Sequence, residues 1–378
     1  MSSLKFKLAY RNLFHDRLRF IATIIGIVFS IVLVTVQAGL YVGFRSMVTT
    51  MIDHSPADLW IVPAGTKCFE DPSLLDDRQR FRALAIDGVL EATPLVIGYA
   101  QWRLPSGTTT PVFIVGSELQ GYGLHPWNLV SGRLDDLSIP GAVAIDQSYF
   151  ERLGVSEAGA NAEIRDQKVQ VAAVTRGIRS FTTTPYVFAG VDRARAYTGL
   201  APNKASYFLV RVSRDSDVGT VRRQLRESLS DVEVLTAAEF RSRSRDFWLF
   251  GTGAGAALLA GAVLGLIVGT VIVAQTLYSS TKDHLSEFAT LRAMGSSGRY
   301  IYMVIVWQAL LSAVIGFCGA AGISFIVARM TAESALAVVV TPAMTFALLL
   351  LTGVMCVASA VAAIVQVMRI DPAAVLAR

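Results

Sequence analysis

Histidine, cysteine and hydroxyl side chains are the groups from which a catalytic or metal centre in this chain would have to be built, and their spacing gives such a centre little support. The four histidines, His15, His54, His125 and His284, are widely separated and have no metal-ligand partners at helix or turn spacing, so neither a zinc nor a haem-iron site is indicated. The Ser/Thr-rich stretch Ser180–Pro185 has no nucleophile-elbow pattern and reads as a loop. No Gly-x-x-x-x-Gly-Lys-Ser/Thr phosphate loop occurs, and the Gly-rich run Gly251–Gly261 lies in an apolar stretch without a lysine, which excludes ATP binding and hydrolysis by that route. Of the three cysteines, Cys68 stands alone in the polar middle of the chain while Cys318 and Cys356 fall in apolar stretches, so no intrachain disulfide framework is available and Cys68 reads as an incidental thiol. The expectation is a non-enzyme with no metal or cofactor of its own.

The chemistry that spacing does support is docking. In the segment from Lys282 to Gly295, Phe288, Leu291 and Met294 fall at i, i+3 and i+6, an apolar ridge on a helix, with Glu287 and Arg292 at its edges and Gly295 closing it. The plainer reading is that Arg292 and its neighbours anchor the segment to anionic lipid headgroups. Gly261, Gly265 and Gly269 repeat every four residues, as do Gly39 and Gly43, a spacing that lets helix backbones approach closely in lipid. It suits packing within one chain and a homodimer seam equally. Gln37, just before Gly39, suits a bond to a neighbouring helix or the lining of a route for an amphipathic substrate.

The elements that must position these residues are set by four uncharged runs. No charged residue lies between Arg19 and Arg45, Asp246 and Lys282, Arg299 and Arg329, or Glu333 and Arg369. Each run exceeds the roughly 20 residues a helix needs to cross a bilayer, and only helices satisfy a lone segment's backbone in hydrocarbon. The spans are expected at 20–44, 249–278, 300–328 and 343–368. No Asp, Glu or His lies inside them, which argues against proton-driven transport and leaves any uphill movement to be driven from another subunit.

With 53% hydrophobic and 17% charged residues the composition is that of a membrane protein. The net charge of +5 is not a groove-binding patch, because residues 45–248 are close to neutral and the excess sits beside the spans. Nucleic acid is therefore not an expected partner. The positive-inside rule puts both termini and the loop 279–299 in the cytoplasm and residues 45–248 outside. The start of the chain lacks a small-residue cleavage site after Gly43 and has a long amphipathic lead-in, which favours an uncleaved first helix over a signal peptide. The fold class expected is an α-helical membrane protein with four transmembrane helices, one plus three, and a large extracytoplasmic mixed α/β domain between the first and second. In order, the parts are an amphipathic N-terminal helix (1–19), the first span (20–44), the domain (45–248), the second span (249–278), a cytoplasmic segment (279–299), the third span (300–328), a short external loop (329–342), the fourth span (343–368) and a cytoplasmic tail (369–378).

Within the domain, strands are predicted at Asp58–Val62, Pro111–Gly116, Val169–Thr175, Tyr186–Gly190 and Ala205–Val212, and helices at Asp77–Ile86, Asp192–Tyr197 and Asp217–Leu229. The stretch from about Gly98 to Gly177 reads as a β-rich insertion in an α/β frame.

The run Glu287-Phe-Ala-Thr-Leu-Arg-Ala-Met-Gly295 resembles the cytoplasmic coupling segment of the MacB/FtsX-like ABC permeases. Two further stretches support the resemblance: Leu8-Ala-Tyr-Arg-Asn-Leu-Phe-His-Asp-Arg-Leu-Arg19 followed by Gly26, similar to the family's amphipathic lead-in helix, and Arg369-Ile-Asp-Pro-Ala-Ala-Val-Leu376, similar to its closing Asp-Pro-Ala-x-x-Leu motif. Within the family, this run, Gln308-Ala-Leu310 and Gln37-Ala-Gly39 are most similar to the DevC and HrtB-like branch, although the first span lacks the acidic group of the haem exporters. The resemblance implies a MacB-like periplasmic core domain and a homodimeric permease in the bacterial inner membrane. It also implies two copies of a separate ATPase that binds the ATP and Mg, and, in the DevC group, a periplasmic adaptor and an outer-membrane channel. The ridge of Phe288, Leu291 and Met294 would then meet a groove on the ATPase. The function implied is mechanotransmission to the external domain that expels an amphipathic compound, lipid or lipoprotein. The alternative is a non-transporting FtsX-like transmitter that activates a cell-wall hydrolase.

Overall fold

The computed structural model describes Tyr10 and residues 17–71, 73–283, 298–332 and 337–368. These form two compact units, one made of the described residues up to Gly43 with those of 256–332 and 337–368, the other of the described residues of Phe44–Gly255.

In the first unit, helices Arg17–Met47, Ala254–Asp283, Gly298–Thr331 and Pro342–Met368 carry four stretches long and apolar enough to cross a membrane: Phe20–Met47, Ala254–Ser279, Tyr302–Thr331 and Pro342–Ala362. Several threonine hydroxyls within them are satisfied locally. Thr35 donates to the Ile31 carbonyl at 2.6 Å, Thr270 to Leu266 at 2.7 Å and Thr352 to Leu348 at 2.6 Å, each one turn back. The helices close around Ile27, Ile31, Val273, Ile305, Ala309, Met355 and Ala360. The second membrane helix starts later than the sequence suggests. Phe247–Gly251 forms a π-helical turn and Gly253 has φ +77°, a left-handed conformation that ends one helix before the next begins at Ala254. The first helix continues past Phe44 to Met47.

The second unit is a mixed α/β domain. Its strands are β1 (Leu59–Pro63), β2 (Leu75–Asp76), β3 (Val89–Arg103), β4 (Thr109–Ser117), β5 (Leu129–Ser131), β6 (Ala142–Asp146), β7 (Asn161–Ile164), β8 (Gln167–Thr175), β9 (Tyr186–Gly190), β10 (Lys204–Ala205), β11 (Tyr207–Val212) and β12 (Val232–Thr236). Apart from β2 and β10, which pair with each other, they form one sheet in the order β12-β1-β11-β3-β4-β9-β6-β8-β5, with β7 against β3 and β8. The β4–β9 and β6–β8 pairs are parallel and the remaining pairs antiparallel.

Alternation along β1 shows how the sheet divides its side chains. Leu59 and Ile61 join one core, beneath helices α1 (Asp77–Leu84), α2 (Val191–Thr198) and α3 (Val218–Ser228), through Ala83, Ala194, Tyr197, Val221 and Leu225. Trp60 and Val62 join the other, with Phe69, Tyr207 and Phe240, the last on helix α4 (Ala237–Asp246). Capping boxes start α1 (Asp76 with Gln79) and α4 (Thr236 with Glu239), and Asp217 caps α3 through Thr220 N at 2.8 Å. The predicted strands and helices of the domain are all present, with ends moved by up to two residues.

The expected insertion at 98–177 is corrected by the topology. Gly98 lies in the middle of β3, and the strands that follow continue the same sheet, β6 pairing with β9. Gly98 is there for packing: a Cβ would stand 3.0 Å from Thr198 Cγ2 on α2, and one at Gly116 would overlap the Ala194 side chain. Both glycines let α2 lie close on the sheet.

Candidate functional site

The docking residues Glu287, Phe288, Leu291, Arg292, Met294 and Gly295 lie outside the described residues. On either side of them the second membrane helix reaches Asp283 and the third begins at Gly298.

In the membrane unit, the small-residue stripe of the second helix faces the first helix of the same chain. A Cβ at Gly261 would stand 2.8 Å from Gln37 Nε2, and one at Gly265 would stand 3.0 Å from Leu33 Cδ2. At Gly269 an added Cβ would overlap the Ser30 side chain. The close approach is fastened by Ser30 Oγ, which donates to the Gly265 carbonyl at 2.8 Å while buried. Gln37 thus packs flat over a glycine of the neighbouring helix. Gly39 and Gly43 serve a different contact, because they face the extended stretch that leads into the fourth helix. A Cβ at Gly39 would stand 2.5 Å from Val338 Cγ1, one at Gly43 would meet the Ala337 carbonyl, and Val339 N donates to the Gly39 carbonyl at 3.2 Å. The third helix approaches the first through Gly316, which receives Ile27, and Gly319, which lies beside Val28. Gln308 is buried and Gln275 is exposed.

In the domain, an aromatic junction forms where the chain arrives from the first membrane helix and departs for the second. Phe44 meets Phe181 edge-on at 5.3 Å between ring centroids, Phe181 meets Trp248 at 4.7 Å, and Trp248 meets Phe247 at 5.3 Å. Trp248 lies on the π-helical turn, and Phe181 comes from the Ser/Thr-rich loop. That loop is held by the domain: Ser180 N donates to Tyr149 Oη at 2.8 Å, Arg152 donates to the Thr183 carbonyl, and Thr183 itself has φ +64°.

The junction ends on a carboxylate. Trp248 Nε1 donates to Glu70 Oε2 at 2.9 Å. Burial pushes the Glu70 carboxyl up to about 7, against the opposing pull of the indole bond. Cys68 is buried beside it, and burial reinforced by the Glu70 charge pushes its thiol up to about 12, so it is not a nucleophile at neutral pH. The spacing of residues 44, 70, 181 and 248 carries no motif. The signal that could have found them is the placement of Phe44, Phe247 and Trp248 next to span ends, where aromatic side chains concentrate.

The described histidines are structural. His54 stacks on Trp127 at 3.8 Å with Nδ1 against the Thr50 carbonyl at 2.9 Å, and His125 Nε2 lies 2.9 Å from the Glu118 carbonyl. No group of three or more His, Cys, Asp or Glu side chains that could hold a metal occurs among the described residues.

Comparison with known proteins supplies the family. Residues 20–228 match the MacB-like periplasmic core domain, and residues 259–372 match the FtsX-like permease C-terminal domain. Two proteins named as uncharacterized ABC transporter permeases, from Mycobacterium tuberculosis strains CDC 1551 / Oshkosh and ATCC 25618 / H37Rv, are each 26% identical over 372 residues, covering 97% of both chains. Among solved structures, the periplasmic region of MacB from Actinobacillus actinomycetemcomitans is similar with 12% identity and a TM-score of 0.39, over 49% of this chain and 90% of that one. The extracellular domain of the noncanonic ABC-type transporter YknZ from Gram-positive bacteria has 17% identity and a TM-score of 0.34, over 48% and 99%. With one domain between the first and second of four membrane helices and family matches along most of its length, the chain belongs to the MacB/FtsX-like permeases, multi-pass membrane subunits of ABC transporters that work with a partner ATPase.

Proposed function

We propose that this permease is the membrane subunit of an exporter that converts closure of two partner ATPases into motion of its external domain, expelling an amphipathic or hydrophobic compound, a lipid or a lipoprotein. The observation that carries the reading is the aromatic junction: Phe44, in the last turn of the first membrane helix, and Trp248, on the turn before the second, are both held by Phe181 within the domain. The ridge of Phe288, Leu291 and Met294, edged by Glu287 and Arg292, docks on the ATPase. The helices flanking that segment carry the displacement, a mechanical transmission rather than a pore. The absence of Asp, Glu and His from the spans agrees with energy entering from the partner. The size of the domain favours export over a signalling role. The chain acts as a homodimer in the bacterial inner membrane, with both termini cytoplasmic and, in the DevC manner, an adaptor and an outer-membrane channel completing the path. Gln37, against Gly261, is a helix contact in this scheme.

Charged replacements at Leu291 and Met294 test the scheme. The variant should insert normally and the ATPase should keep hydrolysing ATP, while export falls to background. Normal export by the variant would overturn it. Co-purification from native membranes with an ABC ATPase and an adaptor is the expected composition, and recovery of a cell-wall hydrolase with the ATPase would instead establish the signalling role.

A further inference from the structure

Between the first, third and fourth membrane helices lies a cavity of about 520 Å³, within the range of roughly 300–1,000 Å³ typical of small-molecule sites. Its walls are mostly apolar, with Ile31, Phe317, Ala321 and Leu348 among them. Thr35 and Thr345 on that surface each bond a carbonyl one turn back, and two further polar side chains break it without such a bond. Ser324 is 4% exposed, and its hydroxyl has no hydrogen-bond partner among the described residues. Thr35, across the cavity, and Thr331, further along the same helix, each bond a carbonyl one turn back, whereas Ser324, like the buried Ser312 on the same helix, has no such bond, and of these two serines Ser324 is the one that lines the cavity. A buried hydroxyl without a protein partner calls for one from elsewhere, and the cavity it lines is where that partner would sit.

The second is Arg329, in the last turn of the third helix. Its guanidinium lies 5.4 Å from the Phe325 ring centroid, and no carboxylate is within ion-pair distance among the described residues. An arginine at the end of a span reaches toward headgroups. Five residues separate Ser324 from Arg329, roughly 7.5 Å along a helix axis. The hydroxyl therefore lies deeper than the cation, the order in which the ester and the phosphate of a phospholipid follow one another from the acyl chain outward.

We propose that this cavity is a binding site for a membrane phospholipid with an anionic headgroup. Its acyl chain lies along Phe317 and Ile31, an ester oxygen accepts from Ser324 Oγ, and the phosphate pairs with Arg329. The site belongs to the membrane unit alone and holds whether the protein exports or signals.

Native mass spectrometry of the full chain, with dioleoyl-phosphatidylglycerol or dioleoyl-phosphatidylcholine added, tests it. The anionic lipid should be retained at collision energies that strip the zwitterionic one, and Arg329→Gln should reduce that preference by about tenfold. Ala321→Trp, which fills the cavity, should abolish retention of both, whereas Gly322→Ala, which points into open space, should change nothing. Equal retention of the two lipids, or retention unaffected by Ala321→Trp in a normally inserted and normally melting protein, would overturn the proposal. Disulfide crosslinking of two copies through Phe325→Cys in a Cys318→Ser background would overturn it too, because a second copy would then cover the cavity.

Discussion

Trp248 and Glu70 are joined by an indole-to-carboxylate hydrogen bond of 2.9 Å, and the two residues are separated in sequence by almost the whole domain. Trp248 lies on the π-helical turn that precedes the second membrane helix, and Glu70 follows the Cys68–Phe69 pair packed under the sheet. The bond ties the departing chain to the aromatic core formed by Phe69, Tyr207 and Trp60, with Tyr207 Oη donating to the Phe69 carbonyl at 3.0 Å. A change in Glu70 is therefore felt where the domain meets its membrane connection.

The first prediction is a pH-dependent stability set by Glu70. Its carboxyl is raised from 4.5 to about 7 in the folded protein, chiefly by burial. Below about pH 4.5 the group is protonated in both states and contributes no slope. Between about 4.5 and 7 the folded state holds a proton that the unfolded state has lost, so stability falls as pH rises; above about 7 the penalty is constant. Part of the side chain reaches solvent, so the full shift is an upper bound of about 3 kcal/mol. Glu70→Gln keeps an acceptor for Trp248 and removes the titration. Near-UV circular dichroism melts of the detergent-solubilised chain should lose this part of the pH slope in the variant and show a higher melting temperature at pH 8. An unchanged slope would rule Glu70 out as its source.

A second prediction concerns Asp146, buried at the end of β6. Oδ1 accepts from Ser148 N at 3.1 Å and Ser148 Oγ at 2.6 Å, and Oδ2 accepts from Thr175 Oγ1 at 3.0 Å and Ile178 N at 2.8 Å. One carboxylate thus starts the turn after β6 and fixes the chain leaving β8. Asp146→Ala strands the buried Ile178 N–H, at roughly 1–3 kcal/mol, and leaves the Thr175 hydroxyl only the Ile145 carbonyl at 3.4 Å. Asp146→Asn can still accept through one oxygen and should lose less. Denaturant unfolding should rank the variants in that order, and equal losses would mean that the second carboxylate oxygen, which both variants lack, carries the whole effect.

The sequence disclosed the four membrane helices through charge-free runs, and the strands around Trp60, Phe113 and Tyr207 through β-rich segments bounded by turns. It hid β3, because Pro94 and Gly98 read as breakers. In the sheet, Pro94 lies opposite Phe208, and Gly98 yields its side-chain volume to Thr198. It hid β12 and α4 because Val232–Thr236 is short and the Arg/Ser-rich run after it shows no apolar stripe; Phe240 and the Thr236–Glu239 cap hold that helix instead. The aromatic junction was illegible for a different reason. Phe44, Phe181 and Trp248 meet only after the sheet has formed, and no local period records a contact between such distant positions.

The Ser30–Gly265–Gly269 contact gives a prediction that turns on space rather than polarity. A methyl at Gly269 would occupy the volume of the Ser30 Oγ and Cβ atoms, so Gly269→Ala should force the first and second membrane helices apart and cost roughly 1–3 kcal/mol as overpacking. Ser30→Ala alone removes the 2.8 Å bond to Gly265 and a weak 3.9 Å contact with Met355 Sδ, a loss of about 0.6–1.7 kcal/mol for such interhelical bonds. If the clash is the cause, Ser30→Gly should rescue Gly269→Ala, because removing both atoms from the first helix reopens the space that the methyl needs. The two sites would then show a coupling of about 0.5–3 kcal/mol in a double-mutant cycle. Gly322→Ala, with nothing within 4 Å of its added carbon, is the control for inserting a methyl into a membrane helix, and it should leave the melting temperature unchanged. Thermal unfolding in detergent reads all of these variants. Additive losses in the double variant would mean that Gly269 is needed for backbone freedom rather than for the close approach of Ser30.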